Sequence, residues 1–445
     1  MRKYIFACIL LTVSTGIYAQ DTWDLRRCVD YAIANGISVK QADVQARIAA
    51  LNTQLSRAAV YPNLSFNTQA GVRSGRSIDP TSNQYTTNGV FSQSYGLSSN
   101  ANVFNFFSVQ NNIKATIAAQ EASRSFADAA RNDISLSVAN YYLNYLLSLE
   151  TTNAAKLKVD LTRQQLNNTR KLVDAGSMPE LNAAQLEAQL ATDSSSYISA
   201  KGTAEQNKIS LMGALSLDLN TPFEVSIPDV DRIPLEAIAE LQPAEVYAMA
   251  RGTQPKQRYD SLNIIAQGYK VKSAKAAMYP TLTAFAQLNS NYASTYRDFT
   301  GFKPSYFKQV GDINFNQAVG LSLNVPIFSN RQLKTNYEQA KLTLETYKLT
   351  QKQDDITLQS NIYQAYSSAV SSLESYNASV KAHKTQQYAY DLSKKRYELG
   401  VLSTIDFILT ENNLFTAQVN ELSARYNYVF RMKILEFYKG QGVKL

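Results

Sequence analysis

Tyr61-Pro62-Asn63-Leu64-Ser65-Phe66-Asn67-Thr68-Gln69-Ala70-Gly71-Val72 is the stretch on which the reading of this chain turns. Proline at 62 disfavours α geometry at Tyr61, so a helix running into it stops there. From Asn63 onward, Leu64, Phe66, Ala70 and Val72 share one parity, while Asn63, Ser65, Asn67, Gln69 and Gly71 share the other. Side chains of a strand alternate between its two faces, so one face is apolar and the other polar. About 10 residues of this pattern match a transmembrane barrel strand. A half-buried strand in a soluble sheet alternates in the same way.

The neighbours of this stretch favour the membrane. Residues 319–325 set Val319, Leu321, Leu323 and Val325 against Gly320, Ser322 and Asn324. Residues 95–103 and 281–289 alternate more loosely, with small and polar residues on one parity. Tyr61, Phe91, Tyr95, Tyr279 and Tyr292 stand at the expected strand ends, where amphipathic rings suit a membrane boundary. Residues 73–94 and 290–317, rich in Gly, Ser, Asn and Tyr, read as long external loops. The resulting lipid-facing set is Leu64, Phe66, Val72, Val319, Leu321, Leu323 and Val325.

The decisive stretch also recurs. Tyr279-Pro280-Thr281-Leu282 follows Tyr61-Pro62-Asn63-Leu64 by 218 residues. Gly320-Leu321-Ser322 follows Gly96-Leu97-Ser98 by 224, as Ile327-Phe328 follows Val103-Phe104. Asp355-Ile356-Thr357-Leu358 follows Asp133-Ile134-Ser135-Leu136 by 222, and Leu399-Gly400-Val401 follows Ala175-Gly176-Ser177 by 224. Five matches in one order at nearly one spacing indicate a tandem duplication. Each half reads as helix, two strands, a very long helix, a glycine break and another helix.

Residues 24–59 read as the first helix. Residues 108–173 and 330–398 hold no proline or glycine. Unbroken, each is a helix of roughly 100 Å at 1.5 Å per residue, against about 11–12 residues for an ordinary helix. Ile134, Val138, Tyr141, Tyr145 and Leu149 recur at threes and fours, marking one packed face, with Asn, Gln, Ser and Thr elsewhere. An ordinary long coiled coil shares this periodicity.

The N-terminus carries Arg2-Lys3, an apolar run from Tyr4 to Val13 and small residues to Ala19. This is the layout of an exported protein's leader, cleaved between Ala19 and Gln20, and the run is too short to span a bilayer. Cys8 leaves with the leader and Cys28 then has no intrachain partner. The formal charge of +8 is spread among nearly as many acids, with no basic block, so no nucleic-acid partner is expected. With 28 Tyr against one Trp, the composition suits surfaces half apolar and half wet.

Four strands are too few to enclose a lumen, since about eight make the smallest barrels. An open sheet would leave unpaired edges in lipid. The chain therefore has to oligomerise to close its barrel. Two copies supply a filled core, and three supply room for a channel.

The duplicated plan, with Tyr-Pro before each hairpin and a glycine-centred helix break, resembles the TolC outer-membrane efflux family from about residue 22 to 440. The most specific piece is Tyr397-Glu398-Leu399-Gly400-Val401-Leu402-Ser403-Thr404-Ile405-Asp406, similar to the family's periplasmic helix–turn–helix tip. Its first-half counterpart is Leu172-Val173-Asp174-Ala175-Gly176-Ser177-Met178-Pro179-Glu180-Leu181-Asn182. The resemblance implies a mainly α fold with transmembrane β: a homotrimer whose 12-stranded β-barrel continues into a 12-helix periplasmic α-barrel. It implies a leader over 1–19 and a first repeat over 20–217 (hairpin 62–105, tip 174–181). An inter-repeat belt over 218–245 follows, then a second repeat over 246–438 (hairpin 280–328, tip 398–404) and a tail over 439–445. A plain linker at 218–245 reads equally well.

Partners implied are a periplasmic adaptor (membrane fusion) protein, an inner-membrane pump and outer-membrane lipid. Ala175, Gly176, Ser177, Leu399, Gly400 and Val401 would meet the adaptor; plain helix caps need glycine there as well. Asp406 matches an acidic ring of the family's closed aperture and Tyr397 its tyrosine lock. The tyrosine's acidic partner falls at Asn182, a second acidic position at Leu409 and a basic one at Leu402, so the charged gate departs from the family pattern. A hydrogen bond from Tyr397 to Asn182 beside an Asp406 ring is the form the gate would take here. Asp406 also suits the first turn of a helix without any gate.

No His, Cys or carboxylate cluster has metal-ligand spacing, and no phosphate loop or nucleophile elbow follows a strand. The lone histidine of the chain, His383, reads as a solvated helix residue. No cofactor and no catalytic residue are expected. The function implied is an outer-membrane exit duct conducting small molecules passively. Type I protein secretion is the alternative within that architecture, and a periplasmic coiled-coil scaffold the alternative outside it.

Overall fold

A computed structural model gives residues 22–440 except 79–82, 88, 229–232 and 299. The expected leader and residues 441–445 of the tail lie outside the described residues, as does part of the expected loop at 73–94.

Each half lays down helices of matching length. In the first, α1 (Leu25–Asn35), α2 (Ile37–Ala58), α3 (Ser108–Asp174) and α4 (Glu180–Leu215) hold 11, 22, 67 and 36 residues. In the second, α5 (Pro243–Thr253), α6 (Pro255–Ala276), α8 (Gln332–Glu398) and α9 (Thr404–Tyr438) hold 11, 22, 67 and 35. Between them α7 (Tyr306–Lys308) is a single turn running on into a π turn at Gln309–Ile313. The strands are β1 (Asn63–Arg73), the short pair β2 (Ser77–Ile78) and β3 (Tyr85–Thr86), β4 (Val90–Phe104), β5 (Thr281–Ala293) and β6 (Asn316–Asn324).

Two expectations change here. The helix expected over 24–59 is broken at Gly36, whose N–H donates to the Ala32 carbonyl at 2.7 Å and closes α1. Its counterpart is the break at Gln254, whose N–H donates to the Ala250 carbonyl at 2.8 Å. The strands also run further than expected. β4 begins at Val90 and β5 continues to Ala293, so Tyr95 lies inside a strand instead of at its end.

The passage from strand to long helix is the same in both halves. Phe106 and Phe107 (φ 49° and 65°) and Asn330 and Arg331 (φ 48° and 64°) are consecutive left-handed residues, uncommon for side chains with a Cβ. The turn they make lets Ser108 N–H donate to the Asn105 carbonyl at 3.0 Å and Gln332 N–H to the Ser329 carbonyl at 2.8 Å.

The chain forms two compact units, each built from parts of both halves. One comprises the residues up to Gln41, Ala129–Gln254 and Leu358 onward; the other comprises Ala42–Asp128 and Pro255–Thr357. In the first, Cys28 and Ala32 of α1, Val138 and Leu146 of α3, Leu211 and Leu215 of α4, and Phe430 of α9 form one core. The expected stripe on α3 holds at Val138 and Tyr145, which are buried, and at Ile134 and Leu149, which pack against the core, but not at Tyr141. Tyr142, only 1% exposed, is the core residue and Tyr141 faces out. The Tyr142 hydroxyl donates to the Ser226 carbonyl at 2.7 Å, so the phase of the helix is set by the inter-repeat segment. The described residues of that segment pack within this unit. Trp23 bridges to Val225, Phe223 and Leu241 are buried, and Lys433 donates to the Pro234 carbonyl at 2.8 Å. Its last residues already belong to α5.

The second unit packs its helices through small side chains. Ala42, Ala115, Ala118, Ala122, Ala266 and Ala276 are buried. Hydroxyls join the helices: Thr53 Oγ1 donates to the Thr116 carbonyl at 3.0 Å, and Ser273 Oγ to the Ser108 carbonyl at 2.9 Å. Small contact residues allow short interaxial distances.

Candidate functional site

The four long strands form one antiparallel sheet in the order β1-β4-β5-β6. Each half contributes a hairpin, and β4 pairs with β5 across the two halves. Directly opposed residues share a face, so the register assigns the faces. Phe66 opposes Leu97 and Leu97 opposes Leu288; Val319 opposes Ala286, Leu321 opposes Ala284, and Leu323 opposes Leu282. This face also carries Leu64, Ala70 and Val72. On the other face Asn63 opposes Asn100, Ser65 opposes Ser98, and Asn67 opposes Gly96, which opposes Asn289. Ser65 and Ser98 hydroxyls bond at 2.8 Å, and Asn63 Oδ1 accepts from Asn100 N–H at 2.7 Å. Phe285 is the aromatic exception on the polar face. Its ring lies over Gly320, where a Cβ would meet it at 2.8 Å, so any other residue there would have to displace the ring.

The loosely patterned segments 95–103 and 281–289 are thus the central strands, and the clearly patterned ones are the edges. All seven residues expected to face lipid lie uncovered in the single chain, Leu64 72% and Val319 85% exposed. Val325, just past β6, keeps their parity. β1 and β6 each have one neighbour in this sheet and present an open edge. Strands of 9–15 residues are long enough to cross a bilayer. Among the described residues no helix is long and apolar enough to do so.

The second feature is the pair of turns closing α3 and α8. Gly176 (φ 70°) and Gly400 (φ 74°) adopt the left-handed conformation. Gly176 N–H donates to the Val173 carbonyl and Ser177 N–H to the Leu172 carbonyl, both at 2.8 Å. Gly400 N–H donates to the Tyr397 carbonyl and Val401 N–H to the Arg396 carbonyl, both at 2.9 Å. These are two Schellman caps with one hydrogen-bond pattern. No atom lies within 4 Å of a Cβ added at either glycine, so the backbone angle alone selects the residue. The turns expose apolar side chains: Leu399, Val401 and Ile405 at one, Leu181 at the other, with Leu409 one turn further on. Ala175 and Ser177 flank the first glycine and are exposed.

The restart of the helix differs between the turns. Pro179 precedes α4 without a side-chain cap. Ser403 caps α9: its Oγ accepts from Asp406 N–H at 3.1 Å and donates to Asp406 Oδ2 at 2.6 Å. Asp406 is exposed in the first turn of α9, where its charge also meets the helix dipole. Tyr397 is buried and stacks on Phe407 with ring centroids 4.7 Å apart. Its hydroxyl bonds Thr169 Oγ1 at 3.3 Å and Thr404 Oγ1 at 3.4 Å. Within the protomer these threonines, and not Asn182, hold the tyrosine, because Thr404 begins the helix directly after the turn. Asn182, part-buried in the first turn of α4, has its backbone N–H bonded to the Pro179 carbonyl at 3.1 Å.

Several charged pairs went unread in the sequence. Asp193 is 2% exposed, ion-paired with Lys158 at 2.9 Å, and accepts from Thr162 and Gln189 at 2.8 Å each. Arg170 pairs with Glu187. His383 is not a solvated residue: Nδ1 meets Glu421 Oε2 and both side chains are half-buried. Buried Glu411 is pushed up to about 6, foremost by desolvation; Lys158 opposes this and Asp193 adds to it. A signal for the first of these pairs was present. When two helices fold back at a turn, residues at nearly equal distances on either side of it face each other. Lys158 and Asp193, 18 and 17 residues from Gly176, satisfy that relation.

The comparisons with known proteins agree over most of the chain. A family model described as outer membrane efflux protein matches residues 29–216 and 249–439. The outer membrane efflux protein BepC of Brucella suis is 25% identical over 96% of this chain and 88% of its own. The alkaline protease secretion protein AprF of Pseudomonas aeruginosa is 23% identical over 87% of this chain and 78% of its own. In fold, the Campylobacter jejuni CmeC outer membrane channel aligns with a TM-score of 0.78 at 19% identity, over 95% of this chain and 87% of that one.

Proposed function

Because this chain belongs to the outer membrane efflux protein family, the TolC-like channels, we propose that three copies join their sheets edge to edge into one twelve-stranded barrel. The chain is an outer-membrane channel of bacterial efflux, without enzymatic chemistry. The observation that carries the trimer is the four-stranded sheet with one apolar face, one polar face and two open edges. Lipid tolerates no open edge, and closure with the apolar face outward sets Asn63, Asn67, Asn100 and Asn289 along the lumen. Leu64, Phe66, Val72, Val319, Leu321, Leu323 and Val325 then meet the hydrocarbon. Each repeat, 20–217 and 246–438, supplies one hairpin to that barrel and its own set of helices to the periplasmic part.

As the outer-membrane component of a pump the chain works with pump partners. In our reading a periplasmic adaptor docks on Ala175-Gly176-Ser177 and Leu399-Gly400-Val401. The exposed Leu399, Val401 and Leu181 give such a partner apolar surface to cover, and an inner-membrane pump supplies the energy. Three copies of Asp406 form the acidic ring of the aperture, with Tyr397 a fixed strut beneath it and Asn182 at the neighbouring helix start. The cargo is small molecules. The similarity to AprF, named for protease secretion, supports export of a protein as the second reading.

The test is extraction from outer membranes in detergent followed by native mass measurement. A particle of three chains is expected; a soluble monomer or dimer would sink the trimeric duct. Asp406→Ala combined with Tyr397→Phe is expected to raise entry of small hydrophilic compounds into cells. Unchanged permeability at normal expression would remove these residues from the gate.

A further inference from the structure

The apolar face of the sheet is interrupted at the end away from the strand-to-helix turns. Gln93, Tyr95, Ser290 and Tyr292 lie on that face by register. All four contact the connection between β5 and β6. The Tyr306 hydroxyl donates to Gln93 Oε1 at 3.0 Å and bonds the Tyr95 hydroxyl. Ser290 Oγ donates to the Val310 carbonyl at 2.6 Å, and the rings of Tyr292 and Tyr306 lie 4.9 Å apart. Gln309, fully buried, accepts from Ala293 N–H at 3.2 Å and donates to the Pro304 carbonyl at 3.3 Å. Residues 306–310 of the connection are therefore held against the apolar face.

Its outward side is aromatic and basic. Phe307 is 84% exposed, and Phe302 and Phe315 are exposed as well. Lys303 and Lys308 stand exposed beside the first two. The acids of the connection are Asp298, whose Oδ1 accepts from the backbone N–H groups of Thr300 and Phe302 at 2.9 Å each, and exposed Asp312. Free phenylalanines at a water-facing site forfeit burial, whereas rings at headgroup depth with lysines snorkelling to phosphates satisfy both groups.

We infer that the β5–β6 connection is a lipid anchor, in which Phe302 and Phe307 enter the interfacial zone of the outer leaflet and Lys303 and Lys308 meet anionic headgroup phosphates. The anchor continues the surface of Leu64, Phe66, Val319 and Leu321, and so rests on the reading of that face as lipid-facing. It would hold the upper rim of the barrel at a fixed depth.

Site-directed fluorescence tests this. Phe307→Cys, Val319→Cys and Thr87→Cys are each labelled with a small environment-sensitive fluorophore in the whole protein. Native Cys28 does not compete, being fully buried with its thiol pushed up by desolvation to about 12. In phosphatidylcholine vesicles, position 307 is expected to be quenched several-fold more by headgroup-level nitroxide lipids than by aqueous iodide. Position 319 should respond most to mid-chain nitroxides and position 87 to iodide. Adding phosphatidylglycerol should strengthen headgroup-level quenching at 307, and Lys303→Glu with Lys308→Glu should abolish that increment. Iodide quenching at 307 equal to that at 87 overturns the anchor, and protection from lipid and iodide alike assigns the segment to a protein contact instead. If 319 is lipid-quenched while 307 is not, the anchor alone fails; if neither is, the lipid-facing reading of the sheet fails with it. An increment that survives the lysine changes removes the phosphate contact.

Discussion

The unit holding the helical turns and the unit holding the sheet keep their large side chains in opposite places. In the first, Tyr142, Phe223, Leu146, Leu211 and Met432 are buried inside the single chain. In the second, alanines and hydroxyls occupy the helix contacts, while Phe66, Leu321 and Val319 stand uncovered. The first unit fills a core from its own residues. The second has an interior that suits close helix packing and an apolar surface that the single chain leaves uncovered. Because apolar side chains are costly to leave in water, a sheet that exposes them on one face would be a poor soluble domain and a good barrel segment.

This contrast can be broken by substitution. The largest effect belongs to the filled core: Tyr142→Ala or Phe223→Ala should cost about 3–5 kcal/mol, read from denaturant unfolding of the detergent-solubilised protein. Leu321→Ala should leave the same unfolding curve almost unmoved, and an equal loss would mean that the sheet is packed against protein. Next comes the surface that meets lipid. Leu321→Arg should disfavour membrane assembly by about 2–4 kcal/mol, whereas Ser98→Arg on the polar face should assemble normally. Comparing the amounts that resist urea extraction separates the two faces.

A smaller effect tests charge burial near the second turn. Glu411 holds its proton more tightly folded than unfolded, about 6 against 4.5. Its contribution to stability is fully present below pH 4.5 and is lost as the pH rises through 6. Glu411→Gln, which mimics the neutral form, should therefore stabilise at pH 7 by about 2 kcal/mol. The gain should vanish near pH 4 in melts of the two proteins; a pH-independent difference would point to altered packing instead.

The smallest effects sharpen the comparison between the turns themselves. Ser403→Ala removes a side-chain cap and should cost about 1 kcal/mol, while Pro179→Ala removes none. Gly176→Ala and Gly400→Ala should each cost about 1 kcal/mol, since both demand a left-handed backbone with open space around it. Thermal melts that rank these variants otherwise would show that neighbouring copies bear on the turns.

Much of the fold was legible because its signals are local. Pro62 and Pro280 stop helices through the geometry of one peptide unit, the strand faces follow from a period of two, and Gly176 and Gly400 mark turns that other residues enter at a cost. The candidate site was legible in part. The uncovered face of Leu64 and Val319 was readable, but His383 was read as solvated because its partner Glu421 lies on the next helix. Tyr397 was assigned to Asn182 by resemblance, yet Thr404 sits nearer along the chain once the turn is formed. Counting outward from Gly400 pairs Tyr397 with Thr404, three and four residues away, but leaves His383 and Glu421 a turn out of step.

The sequence by itself determined the duplication, the two long helices, the parity of the strands and the positions of the turns, since each depends on backbone limits or side-chain period within a few residues. Only the tertiary structure decided that β4 joins β5 across the halves, that Tyr142 and not Tyr141 is buried, and that residues 306–310 of the β5–β6 connection lie against the apolar face. Adjacent tyrosines on a helix are equally apolar, and any strand edge can pair with any other. The choice among such equals is made by contacts between residues far apart in the chain, which no local pattern encodes.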